Sequence, residues 1–600
     1  MSFRRVGWLA AIAVATLLEI SCGQVYRPVV IPINITPPSP ANFHAVFTIS
    51  ANVPLNPGTA LQIDVSGDTN IGVANMGVNP THAAILPNNS RVFVASAGAG
   101  QCPPAADVVT AFNPAGDSST ATGLGNPVTF SWPSVGSSQS SSIISLSEAG
   151  NLVTVTLNGA LSNAKVGTPI MISNVINGGG SPFEGCFPIT AINGASVQYL
   201  NPVAGLGATT GGNATVPAYC PYLPDFVATT QTSAVYVANY GAETGLNCGL
   251  SSTDSVAVLN PSSNTMSNLA YLPAGAHPVA MVETPNALNL YVLNQGSSTV
   301  TNLSTTDLSI IANIPVGSKP TWAVMRPDGR RLYLVSQGDG QLYTIDTTTN
   351  AQITGSPQSL GVPGANFVLY DKSRNRLYVT NPSAGAVYVF SAATDPPTPL
   401  GSVNGAISIA PPPIPANTPP CVNVTCSYSS VMPVSVAALP DGSRFYVASY
   451  VTAAAGSPCP DPNVTAAGCV IPQMTVFDAG NFSLKTTVFP LLPSSANAAS
   501  PAFAVAPLAF CAPTFPQPYT PASARFRMSA IAAPDSTRAY ASICDGGSVA
   551  IIRAATSTTS SGNATPDTLV TDLPAPFGAG NPQGNGEPLP QSPVFLLTGQ

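Results

Sequence analysis

A short pattern of apolar and polar positions recurs along this chain and predicts β-strands. A basic, polar or small residue is followed by an apolar, an aromatic and a second apolar residue, as in Arg331-Leu332-Tyr333-Leu334. Alternation with a period of two places one face of a strand in a hydrophobic core. The aromatic position of the pattern is occupied by Phe47, Phe93, Tyr236, Tyr291, Tyr333, Tyr378, Tyr446 and Tyr540. The sequence therefore predicts an all-β protein with repeated units.

Two prolines hold fixed positions in the repeat. One lies 6 residues before the aromatic (Pro87, Pro285, Pro327, Pro440, Pro534) and the other 13 residues before it (Pro80, Pro278, Pro320, Pro433). Each unit reads as a proline, an apolar strand, a turn and the aromatic strand, and two further strands lead to the next unit. The shortest spacings between aromatics are 42 to 46 residues, which is the size of a four-stranded propeller blade. We expect a β-propeller of eight blades, with seven as the alternative count.

The two ends of the chain predict how the ring closes. The segment 592–600 begins with Ser592-Pro593 and has the pattern of an innermost strand, but its aromatic partner would fall beyond residue 600. The segment 44–50 has the matching aromatic strand. We therefore expect a seam blade with one C-terminal and three N-terminal strands, because such pairing leaves no exposed sheet edge.

The long interval between Phe93 and Tyr236 holds an extra domain. Four short alternating strands separated by Gly/Asn turns predict a small β-barrel or sandwich here. The expected organisation is a signal peptide at 1–22, a linker at 23–40, propeller at 41–116, the inserted domain at 117–216, and propeller again at 217–600.

The N-terminus predicts export. Arg4 and Arg5 precede an apolar stretch that is too short to span a bilayer, as in a signal peptide. The sequence around Cys22 resembles a bacterial lipobox, although Glu19 stands where that motif has an aliphatic residue. We expect the periplasm, outer membrane or cell surface, with lipidation of Cys22 or ordinary cleavage nearby as the two routes.

Export permits disulfides, and the cysteines avoid the minimal blades. We predict the pairs Cys421–Cys426, Cys459–Cys469 and Cys511–Cys544. Cys102, Cys186, Cys220 and Cys248 are expected to pair among themselves in an undetermined way.

Composition narrows the function. Charged residues make up 7% of the chain, the net charge is −7, and there are three histidines, whereas about 25% charge is typical. Nucleic-acid binding is excluded because no basic stripe exists to displace counterions. No metal-ligand spacing or nucleophile motif is present, so we predict no cofactor, no metal and no catalytic residue.

Residues before each inner-strand proline are the candidate binding residues, because in a propeller they converge on one mouth of the central channel. They are Asn79, His277, Lys319, Met432 and Ser592. The alternative is that they are solvated loop residues with no ligand.

The repeat resembles the YVTN family of β-propellers: Tyr378-Val379-Thr380-Asn381 spells its name, and Val316-Gly317-Ser318-Lys319-Pro320 resembles its linker between blades. The resemblance implies a propeller fold in an exported or surface protein. We expect a non-enzymatic, monomeric binding scaffold for a protein or glycan, contacting the membrane only through a lipid anchor. The alternative is a propeller hydrolase of the lactonase type.

Overall fold

The structure is a computed structural model. It describes residues 45–599 except for gaps at 53–55, 99–106, 115–123, 132–138, 163, 165, 167–168, 176–180, 202, 217–221, 230–233, 242–253, 274, 403, 414–420, 422–425, 462–463, 465–467, 491–503, 509–510, 512–526, 555–557, 560–561, 564 and 579–589. The predicted signal peptide, Cys22 and linker lie outside the described residues. No helix in the described part is long and apolar enough to cross a membrane.

The strands follow the predicted repeat. The first half of the chain contains β1 (Ala45–Asn52), β2 (Asn56–Asp64), β3 (Thr69–Val78), β4 (Pro80–Ile85), β5 (Val92–Ala97), β6 (Asp107–Asn113), β7 (Gly125–Ser131), β8 (Gln139–Ala149), β9 (Leu152–Leu157), β10 (Pro169–Ser173), β11 (Gly185–Asn193), β12 (Ser196–Leu200), β13 (Asn213–Val216), β14 (Pro224–Thr229), β15 (Val235–Asn239), β16 (Ser255–Asn260), β17 (Thr265–Tyr271), β18 (Pro278–Glu283), β19 (Asn289–Asn294), β20 (Thr299–Ser304) and β21 (Ile310–Pro315).

The second half contains β22 (Pro320–Met325), β23 (Arg331–Ser336), β24 (Gln341–Asp346), β25 (Ala351–Gln352), β26 (Gln358–Ser359), β27 (Phe367–Asp371), β28 (Arg376–Asn381), a 3-10 helix (Pro382–Ala384), β29 (Ala386–Ser391), β30 (Thr398–Pro399), β31 (Ala406–Ser408), β32 (Met432–Ala438), β33 (Arg444–Thr452), β34 (Val470–Asp478), β35 (Leu484–Val488), β36 (Met528–Ala532), β37 (Arg538–Ile543), β38 (Ser548–Arg553), β39 (Thr558–Thr559), β40 (Gly562–Asn563), β41 (Thr568–Pro574) and β42 (Ser592–Thr598).

Within the described residues these strands form eight propeller blades. Blade 1 has the order β3-β2-β1-β42, and blades 2, 3 and 4 are β4–β7, β14–β17 and β18–β21. Blades 5 and 6 are β22–β26 and β27–β31, whose fourth strand is split into two short pieces; blade 7 is β32–β35, and blade 8 is β36-β37-β38-β41. The inner strands contact one another in the order β42, β4, β14, β18, β22, β27, β32, β36, and β36 contacts β42 again. The ring is therefore a closed eight-bladed propeller, and the larger of the two predicted counts is confirmed.

The seam blade closes as predicted. β42 pairs antiparallel with β1, with Leu597 opposite Phe47 and Ser592 opposite Ala51. Val594 and Leu596 of β42 are 0% and 3% exposed. A single C-terminal strand therefore completes the core of a blade that the N-terminal strands begin.

The repeat aromatic sets one register in every blade. In each blade the aromatic lies opposite the fourth residue after the inner-strand proline or the residue equivalent to it. Val324 thus pairs with Tyr333, and Leu597 with Phe47. In six blades the residue directly after that proline forms a β-bulge. A bulge re-aims the side chain that follows it, so the same position faces the channel in each blade.

In the five blades whose repeat begins with an arginine, that arginine joins the blade to the next one. Arg331 forms an ion pair of 2.8 Å with Asp395 of blade 6, and Arg538 one of 2.9 Å with Asp68 of blade 1. Arg91 likewise donates to Asn264, Arg376 to the carbonyl of Ala479, and Arg444 to Asp567. The repeat pattern thus encodes contacts between blades as well as strands.

The repeat tyrosines differ in what their hydroxyls do. Tyr446 donates a 2.7 Å hydrogen bond to Asp567 of blade 8 and is fully buried. The hydroxyl of Tyr540, which is also buried, has no hydrogen-bond partner among the described residues. Burial raises the pKa of both phenols, so both are neutral at physiological pH.

The inserted domain is a closed barrel of six strands in the order β10-β11-β12-β9-β8-β13. Its core contains Leu146, Val155, Ile170 and Tyr199. β7 lies within the predicted range 117–216 but pairs with β6, so it is the outer strand of blade 2. The barrel strands themselves begin at Gln139.

Candidate binding sites at the mouth and waist of the channel

Strand direction divides the connections of the propeller between two faces. In an antiparallel blade, the inner strand begins at the same end at which the second strand finishes, the third begins and the fourth finishes. We call this end the mouth face and the opposite end the far face. Every loop that enters an inner strand, or that joins a second to a third strand, therefore lies on the mouth face.

The long insertions leave and re-enter the sheets at the mouth face. They are the segments 132–223, which carries the barrel, 240–254, 409–431, 453–469, 489–527 and 575–591. The far face has mostly tight turns such as 326–330 and 439–443, and its longer connections are 114–124 and 554–567. The mouth face thus carries most of the long loops, and the far face has mainly short turns.

The three predicted disulfides are present, and all lie in mouth-face loops. Cys421–Cys426, Cys459–Cys469 and Cys511–Cys544 have Cα separations of 5.5, 5.7 and 5.8 Å, which suits an unforced bridge. Cys102, Cys220 and Cys248 lie outside the described residues, and Cys186 lies in β11. These cross-links restrict the mouth-face loops.

The predicted rim residues divide into two groups. Asn79, His277 and Lys319 have left-handed backbones with φ of 57°, 51° and 55°. They occupy equivalent sharp turns into β4, β18 and β22, and Lys319 is exposed. Leu223 (φ 54°) is a fourth member of this group. The proline spacing does not predict it, because the turn of blade 3 is shorter and Pro224 lies 12 rather than 13 residues before its aromatic.

Met432 and Ser592 are different, because each is the first residue of its inner strand. Met432 is half-buried and pairs with Tyr450. Ser592 is 1% exposed and lies opposite Ala51. These two residues contribute to the start of a sheet, and Ser592 does not present its hydroxyl at the mouth.

His277 is held by a buried carboxylate. Its Nδ1 lies 3.2 Å from Oδ1 of Asp254 and 2.9 Å from the carbonyl oxygen of Tyr240, and its ring stacks on Tyr240 with centroids 4.5 Å apart. Asp254 is fully buried and accepts a 3.0 Å hydrogen bond from the backbone N–H of Ala276. Asp254 follows a loop between second and third strands and precedes no inner-strand proline, so the spacing of the repeat does not predict it.

The described residues contain no group of three or more His, Cys, Asp or Glu side chains placed to hold a metal ion.

A second mouth-face cluster surrounds the entry to blade 8. The Arg527 guanidinium lies 3.3 Å from Asp545 and over the ring of Tyr450 at 5.0 Å. Asp545 also accepts a 2.8 Å hydrogen bond from the N–H of Leu508, close to the Cys511–Cys544 bridge. Burial outweighs the attraction of Arg527 and raises the pKa of Asp545 to about 6. This cluster fixes the segment 504–508 to the ring.

The waist of the channel is formed by the position two residues after each inner-strand proline or its equivalent. We call these side chains the waist ring. It consists of His82, Phe226, Ala280, Trp322, Phe367, Ser435, Ser529 and Phe595. Five members carry flat rings and three are small.

The flat rings pack against one another across the channel. His82 stacks on Phe226 at 3.8 Å and lies 4.3 Å from Phe595, and Trp322 lies 5.6 Å from Phe226 and 5.3 Å from Phe367. Burial lowers the pKa of His82 to about 3. The imidazole is therefore neutral at physiological pH and acts as one more flat ring.

A cavity of about 230 Å³ remains beside the small side chains of the waist ring. Its walls are the rings of Trp322, Phe367 and Phe595 on one side and the strands of Ser435 and Ser529 on the other. The remaining lining residues are aliphatic: Leu369, Val436, Ala437, Ala438, Ala530, Ile531, Ala532 and Leu596.

Comparison with known proteins adds structural likenesses only. No family model matches the chain, and no curated protein matches it. Among solved structures, the Myceliophteria thermophila Cps50 (Swd1) β-propeller domain is 9% identical, with 79% of this chain and 95% of that one covered and a TM-score of 0.37. Kuenenia stuttgartiensis hydrazine synthase is 15% identical over 58% and 86% of the two chains (TM-score 0.37), and a streptogramin B lyase 8% identical over 59% and 83% (TM-score 0.32). At this distance function has to be argued from the geometry.

Proposed function

We propose that this protein is an exported, non-enzymatic binding scaffold of the cell envelope, which holds a partner protein or glycan on its mouth face. The observation that supports this most is the asymmetry of the ring. The longest insertions, the barrel and the three disulfides all belong to one face. Loops carried on a rigid scaffold are where binding usually resides.

The position of the N-terminus supports an outward-facing mouth. β1 is a second strand, so Ala45 begins it at the far face. The predicted tether 23–40 therefore joins the ring on the side opposite the mouth. If Cys22 is lipidated, the mouth face points away from the membrane, and the disulfides suit an oxidising compartment.

The ionisable groups near the channel favour binding over catalysis. His277 is committed to Asp254 and the Tyr240 carbonyl. His82 is neutral because it is buried. General acid–base chemistry needs a group that can exchange a proton with a substrate near the working pH, and the buried His82 does not supply one.

Loop replacement tests this proposal. We would replace 453–469 with the short turn 337–340 of blade 5, and as a matched control replace the far-face segment 554–566, which leaves Asp567 in place, with the turn residues 347–349. Labelled protein is then titrated onto isolated envelope fragments and a glycan array. We expect the mouth-face variant to lose at least tenfold in affinity while the control binds as the wild type does. Equal binding by both variants would contradict the proposed face.

One observation favours hydrolysis as a second candidate function. The Asp254–His277 pair places a carboxylate beside an imidazole at the mouth, with a separation of 3.2 Å. A lactonase-like enzyme would turn over simple lactones, and this activity would disappear in His277→Ala. Turnover that is sensitive to a chelator and lost in that variant would replace the scaffold proposal.

A further inference from the structure

We propose that the cavity at the waist of the channel is a binding site for an uncharged aromatic molecule of one or two fused rings that carries a hydroxyl group. This site is separate from the mouth-face loops and does not depend on the scaffold proposal. It arises because blades 7 and 8 place serines where five other blades place flat rings. The ring is therefore filled on one side and open on the other.

Size sets the upper limit on the ligand. A cavity of about 150 Å³ lined by apolar side chains is large enough for benzene. The waist cavity is about 230 Å³, which leaves space for a second fused ring and one polar substituent.

The lining sets the chemistry. Trp322, Phe367 and Phe595 offer ring faces and edges to a flat ligand, and offset or edge contacts between aromatic rings stabilise a complex beyond the burial of area alone. No charged side chain lines the cavity. A sugar would bury several hydroxyl groups against aliphatic walls, where each unpaired group is costly, so a mainly apolar ligand fits better.

Two serines supply the polar contact. The Ser435 hydroxyl oxygen accepts a 3.1 Å hydrogen bond from the N–H of Ala530, which leaves its own proton available. Ser529 is 6% exposed, and its backbone groups bond to Ser542. Within the described residues no hydrogen bond to the Ser529 hydroxyl is found, so this buried group is the natural partner for a ligand hydroxyl.

The cavity extends from the waist toward the far face. On β36 it is lined by residues 529–532 and on β32 by residues 435–438, which run away from the mouth along each inner strand. The packed rings of His82, Phe226 and Trp322 lie at the waist itself. A ligand here is therefore distinct from anything held by the mouth-face loops.

Calorimetric titration of the full-length protein with 2-naphthol and with naphthalene tests the site. We expect saturable 1:1 binding of 2-naphthol, with weaker binding of naphthalene because it lacks the hydroxyl. Ser529→Ala should reduce the affinity for 2-naphthol by about fivefold and leave that for naphthalene unchanged. Quenching of tryptophan fluorescence by bound 2-naphthol should be lost in Trp322→Phe.

A matched pair of filling substitutions locates the ligand. Ala437→Leu fills the cavity, whereas Ala228→Leu adds the same atoms at the equivalent position of blade 3, outside the cavity lining. Both variants are first checked for wild-type circular dichroism. We expect Ala437→Leu to abolish binding and Ala228→Leu to preserve it. Absence of binding by the wild type up to the solubility limit, or equal effects of the two substitutions, would overturn the proposal.

Discussion

Removing the C-terminal strand should open the propeller at its seam. A chain that ends at Gln591 lacks β42, whose Val594, Leu596 and Leu597 are 0%, 3% and 6% exposed. At about 1.5–3 kcal/mol for each buried aliphatic side chain, these three contribute roughly 5–9 kcal/mol. A folded domain is stabilised by only about 5–15 kcal/mol in total. The loss is therefore a large part of what holds the ring together.

The expected change in melting temperature follows from the size of the ring. With an unfolding entropy of about 2.1 cal/mol/K per residue, a cooperative unit of roughly 400 residues shifts by about 1 °C per kcal/mol. We expect the truncated chain to melt about 5–10 °C below the full-length protein. The single substitution Leu597→Ala removes about 2–5 kcal/mol and should lower the melting temperature by about 2–5 °C.

Scanning calorimetry and circular dichroism measure these changes, and a chain lacking only Gln600 is the matched control. The truncated chain should also be cleaved faster by protease near β1, because β1 loses its partner and becomes an exposed edge. A melting temperature within 1 °C of the control would refute the reasoning, since the seam would then contribute nothing to the ring.

Three further predictions concern buried polar groups and a cross-link. Because burial raises the pKa of Asp545 to about 6, the unfolded chain releases this proton at lower pH than the folded protein does, and the wild type should lose about 2 kcal/mol of stability relative to Asp545→Asn as the pH rises from 4 to 6. Urea unfolding across that range checks this, and a constant difference would contradict it. Tyr446→Phe removes a hydrogen bond to a carboxylate and should lower the free energy of unfolding by about 1.5–3 kcal/mol. Tyr540→Phe removes a hydroxyl that has no partner among the described residues, so it should be neutral or stabilising by the same assay. An equal loss of stability for both would argue against the assigned hydrogen bond. Replacing the Cys511–Cys544 pair by serines opens a loop of 33 residues and, in the chain-entropy model, should lower the free energy of unfolding by about 3–4 kcal/mol. An unchanged melting temperature would show that other contacts hold the loop.

The sequence by itself determined the blades. The proline and aromatic of each unit lie a fixed distance apart, and a hairpin of fixed length permits one register, so Val324 pairs with Tyr333 and Ala437 with Tyr446 as the spacing predicts. Closure was also predictable, because an inner strand at 592–600 lacked its partner within the C-terminal sequence. Disulfide pairs could be assigned where the cysteines are close in sequence, since short loops offer few alternatives.

Only the tertiary structure decided which side chains meet. The waist ring is assembled from strands that are far apart in sequence, and its members share a position in the repeat without sharing a residue type. The contact between His277 and Asp254 joins two loops of adjacent blades, which no spacing within one repeat encodes. Ser592 follows the sequence rule for the rim but is buried against β1, because closing the ring covers it. The spacing of the repeat determines the strands and register of each blade, whereas the channel sites depend on how eight blades pack around one axis.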